Sequence, residues 1–195
     1  MNSYPRWVIA QKYSPWCAVV ALLTAGDHAL LTGEIVDDFC MQVLSLSTGH
    51  GIDSPPSSHG AGEPGYDLVI GFVPYTLVKT AWPESRRTVL KFSNGQFCGS
   101  NLFAIMNPQG RKALEFWRQA EADRKHPWRI ARRFGIMALL FYMLRRLSME
   151  DALGGLSKAA GCRIGYVKVG FARAAVDVDS IDDQRLAEQI LRDIQ

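Results

Sequence analysis

The stretch Cys17-Ala18-Val19-Val20-Ala21-Leu22-Leu23-Thr24, stopping at Ala25-Gly26-Asp27, decides how the fold is read. Up to its threonine it is apolar at every position, so neither face alternates with polar residues. That pattern predicts a strand covered on both sides, as in a parallel sheet. Thr32 stands where a helix cap is expected. Ile35, Val36, Phe39, Cys40, Val43 and Leu44 then recur at spacings of three and four, predicting an amphipathic helix.

Outward from this unit the strand and helix signals continue to alternate. Ser45 to Gly65 is rich in Ser, Gly, Pro and His and predicts a long flexible loop. Tyr66 to Val73 predicts a strand, and Thr88 to Cys98 a hairpin around Asn94-Gly95. Asn101 to Met106 continues as strand. Asn107 and Pro108 open a helix to about Arg124, and a second helix starts at Pro127. Ser148 with Asp151 caps a third, which Gly161 ends. Short strands are expected over 163–169 and 174–178. Ser180 with Asp183 caps a final helix carrying Leu186, Ile190, Leu191 and Ile194. The alternation predicts a three-layer α/β domain over 1–195, its sheet mainly parallel and flanked by helices.

At 195 residues, 48% hydrophobic and 21% charged, the chain is long and apolar enough for one packed domain, which excludes wholesale disorder. Cys17, Cys40, Cys98 and Cys162 are scattered without a C-x-x-C pair, predicting free thiols of a reducing compartment. The N-terminus lacks a signal-peptide pattern, and the longest apolar run, Ile136 to Leu144, falls short of the roughly 20 residues a spanning helix needs. The expectation is a cytoplasmic protein with no transmembrane segment. His28, His50 and His59 match no zinc-ligand spacing.

The chemistry-bearing signals are acidic. In open α/β sheets ligands bind beyond the carboxyl ends of the strands, which is where Asp27 stands. A carboxylate there can hold Mg2+ together with phosphate oxygens and water, or simply cap a turn, and position leaves both open. Asp177 and Asp179 alternate and share a face. Asp182 and Asp183 fall in the first turn of the last helix, where the macrodipole favours acids without any further role.

Leu22 to Leu31, with its strand, acid and apolar pair, resembles the corresponding segment of MobA-like NTP transferases. Arg87 to Phe92, followed by Cys98-Gly99-Ser100-Asn101-Leu102-Phe103, is similar to the acceptor-side hairpin and Gly-x-Asn strand of a subgroup. Val178-Asp179-Ser180-Ile181-Asp182-Asp183 resembles the closing Val-Asp-Thr-Pro-Glu-Asp segment of sugar nucleotidyltransferases. The resemblance implies a GT-A-like fold of the nucleotide-diphospho-sugar transferase type. It further implies transfer of a nucleotidyl group from an NTP, GTP or CTP, to a small phosphorylated or hydroxyl acceptor, with release of pyrophosphate. Asp27 and Asp179 would be the catalytic Mg2+ ligands. Gly99 would admit the acceptor close to the backbone, and Asn101 would offer it an amide. Arg87 and Lys91 would be phosphate contacts, and His28, beside Asp27, a substrate contact.

In that family a glycine-rich loop carrying Gly, Arg and Lys precedes the metal aspartate, and backbone N–H groups of such loops cradle phosphates. Met1 to Trp16 contains no glycine. The expectation is therefore an N-terminally truncated domain with weakened nucleotide binding, an apolar strand edge along Val19 to Leu23, and a possible N-terminal partner fragment. The rival expectation is a noncatalytic remnant or partner-dependent half. A third arises from 107–161, a helical basic segment in which Arg111 to Arg146 holds ten Lys/Arg against three Asp/Glu. Its Arg132, Arg133, Arg145 and Arg146 suit an anionic membrane or nonspecific nucleic-acid contact, with no specific nucleic acid implied, or else solvated helix flanks.

Overall fold

The computed structural model describes residues 7–10, 21–47, 65–85, 87–122 and 141–194. Strand β1 (Trp7–Ala10) pairs with β2 (Ala21–Ala25), which leads to helix α1 (Gly33–Ser47). Strand β3 (Leu68–Pro74) runs straight into α2 (Tyr75–Ala81), and the hairpin of β4 (Leu90–Phe92) and β5 (Gly95–Ile105) follows. Helix α3 (Arg111–Ala122), helix α4 (Met149–Ala160), strand β6 (Ile164–Lys168) and helix α5 (Ile181–Ile194) complete the described elements.

The strands form one sheet in the order β1-β2-β5-β3-β6, with β4 on β5. Among the described strands only β3 and β6 pair in parallel, while β1–β2, β2–β5, β3–β5 and β4–β5 are antiparallel. The mainly parallel sheet expected from the apolar run is thereby corrected to a mixed one. The reason lies in β2 itself. Leu22 packs on one face with Ile35, Phe39 and Val43 of α1, and Leu23 packs on the other with Met149 and Leu153 of α4. A strand buried on both faces is apolar throughout, whichever way its neighbours run.

The strand directions align three carboxyl ends. Because β5 is antiparallel to both β2 and β3, and β6 is parallel to β3, strands β2, β3 and β6 all point the same way. Their carboxyl ends share one rim of the sheet.

Two further expectations change. The edge of β2 is covered, because β1 pairs along it from Trp7 opposite Ala25 to Ala10 opposite Leu22. The strand expected over 174–178 is a 3-10 turn, Ala172–Ala175, followed by extended chain, since the turn buries Ala174, Ala175 and Val176 without a ladder partner. Helix α2, which the sequence pattern did not suggest, buries Val78 in the same core as Leu22, Ile35, Phe39 and Val43. Helix α1 runs through Ser47, so residues 45–47 of the expected loop are helical; residues 48–64 lie outside the described ones, with His50 and His59. The helix expected from Pro127, with Arg132 and Arg133, also lies outside them, as does Cys17.

The capping signals hold. Ser148 Oγ accepts the Asp151 N–H at 3.1 Å, and Gly161 closes α4 in the left-handed region at φ 67°. At the rim opposite the shared carboxyl ends, Asp67 ties the start of β3 to its neighbours. Its carboxylate accepts the Arg163 N–H at 2.7 Å and the Asn107 amide at 2.7 Å. Burial alone would raise the Asp67 carboxyl, but these bonds and the Arg163 charge hold it below the usual range.

Candidate functional site

Asp27 follows β2 at the shared rim, and the chain leaving β6 returns there through the 3-10 turn. The two meet backbone to backbone: the Val178 N–H donates to the Asp27 carbonyl at 3.1 Å. Asp177 and Asp179, on either side of Val178, are thus brought to Asp27. One Asp27 carboxylate oxygen, Oδ1, is buried without a hydrogen-bond partner. The Asp179 carboxyl is raised from its ordinary value by burial, then by the charges of Asp177, Asp27 and Asp183, with Arg87 opposing.

Arg87 is the countercharge built into this cluster. Its side chain is only 6% exposed, and its Nη1 donates to the Asp177 carboxylate at 2.6 Å and to the Asp177 carbonyl at 2.9 Å. Nη2 lies 2.8 Å from Asp183 Oδ1 but off the hydrogen-bond axis, an ion pair with no aligned acceptor for that nitrogen. Asp183 also accepts from Ser180, and those hydrogen bonds, with Arg87, keep its carboxyl low. Asp177 and Asp183 are therefore occupied. Asp27 and Asp179 remain as carboxylates with unspent oxygen.

A cleft of about 770 Å3 opens beside this cluster. Arg87, Asp177, Asp179 and Asp183 form the acidic part of its wall, and Gly99, Ser100 and Asn101 the backbone part. The backbone part is irregular because the β3–β5 register shifts: Ile70 opposes Phe103, while Phe72 opposes Gly99, so β5 carries extra residues across the step. Asn101 sits in this bulge at φ 53°, a left-handed conformation that Asn tolerates better than most residues. Ser100 turns inward and donates to the Gly71 carbonyl at 2.8 Å. A Cβ on Gly99 would meet nothing within 4 Å, so bare backbone faces the cleft there.

The structure separates the residues expected to act. The Asp27 backbone meets Val178 at the rim; Asp179, Arg87, Gly99 and Asn101 line the cleft, and Asp27 is not among its lining residues. Arg87 does so as the buried partner of two carboxylates, which is not the free phosphate contact expected of it. Lys91 is exposed on β4 and does not line the cleft. His28 is buried beneath the rim, its Nδ1 3.2 Å from Thr24 Oγ1 and its Nε2 without a partner. Burial lowers its pKa, the charges of Asp177 and Asp27 working the other way. The Cys98 thiol in the cleft wall is pushed up to about 11 by burial, so it is protonated at neutral pH and no nucleophile.

Sequence reasoning missed the apolar part of the cleft, formed by Phe103, Trp117, Met149, Leu153 and Leu156. A signal was present in Gly154-Gly155. Two glycines inside a helix cost about 1 kcal/mol each relative to alanine, which is unexpected unless the surface they expose has a use.

Among the described residues no group of three or more His, Cys, Asp or Glu is placed to hold a metal. Mg2+ asks less of the protein, taking one or two carboxylates beside phosphate and water. The unpartnered Oδ1 of Asp27 and the crowded Asp179 carboxylate fit that requirement.

No family model matches the sequence, and no curated protein matches it. The fold matches a solved structure described as a hypothetical transferase from Thermus thermophilus, with 28% sequence identity and a TM-score of 0.63. The match covers 83% of this chain and 62% of that one, so the chain spans less than two thirds of the protein whose α/β architecture it shares.

Proposed function

We propose that this chain is a transferase domain that moves a nucleotidyl group from an NTP to a small acceptor, with Asp27 and Asp179 as the residues that would hold Mg2+. The observation that carries the reading is the convergence of Asp27 with the Asp177–Asp179 segment through the Val178–Asp27 backbone bond. The likeness to a protein described as a transferase supports the reaction class. The nucleotidyl chemistry rests on the segment resemblance together with the unspent oxygen at the rim.

When bound, the cation neutralises phosphate charge and orients it. The chain's own residues then divide the remaining work. Arg87 fixes Asp177 and Asp183 so that the loop presenting Asp179 keeps its shape. Gly99 leaves room for an acceptor against the backbone, and the Asn101 amide in the cleft wall supplies donors to phosphate or hydroxyl oxygen. In the transfer, an acceptor oxygen forms a bond to the α-phosphorus while the α–β anhydride bond breaks and pyrophosphate leaves. An acceptor phosphate brings no proton that must be removed first.

Pyrophosphate release from GTP and CTP, with and without Mg2+, tests the activity. Direct Mn2+ titration of the wild type and of Asp27→Asn tests the site independently of turnover. Metal binding that is unchanged in Asp27→Asn removes the residue from the mechanism.

One observation favours a second reading. Phe141, Met143 and Leu144 are 42%, 73% and 57% exposed, immediately before the exposed Arg145 and Arg146. Apolar side chains beside arginines suit the surface of an anionic membrane. Vesicle binding that is insensitive to salt and to Arg145→Gln with Arg146→Gln rejects it.

A further inference from the structure

We propose that the acceptor bound in the cleft is a phosphate monoester of an apolar alcohol, its hydrocarbon or aromatic body lying along α4 and its phosphate at the acidic part of the wall. The proposal rests on the reading of Asp27 and Asp179 as cation ligands and adds the class of molecule they serve.

The cleft is bipartite. Its acidic part carries Asp177, Asp179 and Asp183 against Arg87. Its apolar part is built from Phe92 and Tyr142, whose rings meet edge to face at 5.8 Å, with Phe103, Trp117, Leu153 and Leu156. At about 770 Å3 it is the size of a small-molecule site, and such sites are mostly apolar with a few convergent polar groups. A sugar or a free polyol would leave this apolar surface wet. A wholly apolar ligand would leave Asp179, the acid of this wall that Arg87 does not hold, without a partner.

Trp117 is the clearest sign of an unfilled role. It is 53% exposed on α3 while lining the cleft, although α3 has buried positions at Ala113 and Phe116. On α4, a Cβ at Gly154 or Gly155 would meet nothing within 4 Å. The helix thus presents bare backbone where Gly155 borders the cleft, at the expense of its own propensity.

Charge sets the order of events. The carboxylates repel a bare phosphate, and Arg87 is already committed to two of them, so the phosphate head needs a divalent cation to enter. An apolar body alone has no such requirement.

The test uses the full chain, with geranyl phosphate, geraniol and glycerol 3-phosphate as probes, each with and without Mg2+. Tryptophan fluorescence and calorimetry read the binding, and Trp117→Phe identifies the optical signal. Gly155→Leu is the informative variant, because its side chain projects into open space and leucine favours the helix, so the fold keeps its stability while the apolar part is filled. The expected result is Mg2+-dependent binding of geranyl phosphate, at least roughly tenfold tighter than glycerol 3-phosphate and weakened roughly tenfold by Gly155→Leu. Equal binding of geranyl phosphate and glycerol 3-phosphate, unaffected by Gly155→Leu, overturns the proposal and leaves the cation reading standing. Equal binding of geraniol and geranyl phosphate, indifferent to Mg2+ but lost in Gly155→Leu, overturns the cation reading and with it the phosphate head. Failure of every probe to bind overturns the proposal.

Discussion

The Val178 N–H donates to the Asp27 carbonyl at 3.1 Å, joining residues more than half the chain apart in one rim. The bond fixes the main chain and brings the charges of Asp27 and Asp177 to bear on Asp179. Burial, and after it the charges of Asp177, Asp27 and Asp183, raise the Asp179 carboxyl above its ordinary value.

Asp179→Asn removes a charge from this cluster. A carboxyl whose folded pKa lies above its ordinary value of 3.8 is better tolerated protonated, so its stability contribution is present below that value and lost as pH rises through the folded one. At neutral pH the asparagine variant is expected to be more stable than wild type without metal, by roughly 0.5 kcal/mol, the scale of a partly solvated charge interaction. With Mg2+ the order reverses. Ligand at a hundredfold excess over Kd stabilises by about 2.7 kcal/mol, and the variant forgoes most of this. Thermal melts of both proteins, with and without Mg2+, check the crossover; a variant that Mg2+ stabilises as much as wild type refutes the assignment of Asp179.

His28 gives a pH dependence of opposite sign. Burial lowers it from its ordinary value of 6.5, only partly offset by Asp177 and Asp27. The folded state therefore resists protonation while the unfolded state accepts it. Stability is full above about pH 6.5 and declines as pH falls toward the folded pKa, with a slope of at most about 1.4 kcal/mol per pH unit for one proton. Asp67, also depressed, adds its own loss at more acid pH, below its ordinary value of 3.8. Urea denaturation from about pH 3 to pH 8 separates the two, since His28→Gln flattens the upper limb and leaves the lower one.

Much of this was legible in the chain because the signals were local. The Ser148 and Ser180 caps, the hairpin turn before Gly95 and the stop at Gly161 depend on a few neighbouring residues, and each stands in the fold. The segment holding Asp177 and Asp179 does lie against Asp27, but it reaches the rim as extended chain after a 3-10 turn and not as the strand the pattern predicted. Strand direction was not legible, because Leu22 and Leu23 are buried whichever way β1 and β5 run. Nor was the role of Arg87, whose partners Asp177 and Asp183 lie far along the chain, Asp183 with a helix-terminus explanation of its own. The apolar part of the cleft draws on α3, α4 and β5 together, so no single window displays it.

Gly71 and Ser100 form a coupled pair behind the bulge. A Cβ at Gly71 would stand 2.5 Å from Ser100 Oγ and 3.1 Å from Phe39 and Val169 atoms, all in the core. Gly71→Ala is expected to cost about 1–3 kcal/mol through overpacking. Ser100→Ala removes the hydroxyl that bonds the Gly71 carbonyl and costs about 1 kcal/mol by itself. Because the closest clash is with that hydroxyl, the double variant is expected to be more stable than the sum of the singles predicts. Strict additivity in a chemical-denaturation cycle contradicts this packing.

Arg87 is where stability and site geometry meet most directly. Its guanidinium is buried, while Asp177 and Asp183 keep 33% and 20% of their side chains exposed. Removing it in Arg87→Met leaves two neighbouring carboxylates without their cation. Buried pairs broken in this way lose about 3–5 kcal/mol, and the partial wetting of both acids places the expected loss near the lower end. Arg87→Lys retains the charge but not the planar fork that reaches Asp177 and Asp183 together, so it is expected to recover only part of that loss. Metal binding should take a different course, because Asp27 and Asp179 are untouched. If the lysine charge is enough to hold that loop, Mg2+ stabilises Arg87→Lys by as much as it stabilises wild type, even though the melt without metal starts lower. Loss of the Mg2+ response in Arg87→Lys, measured below the melting transition by Mn2+ titration, would show that the loop carrying Asp179 depends on the full fork for its shape.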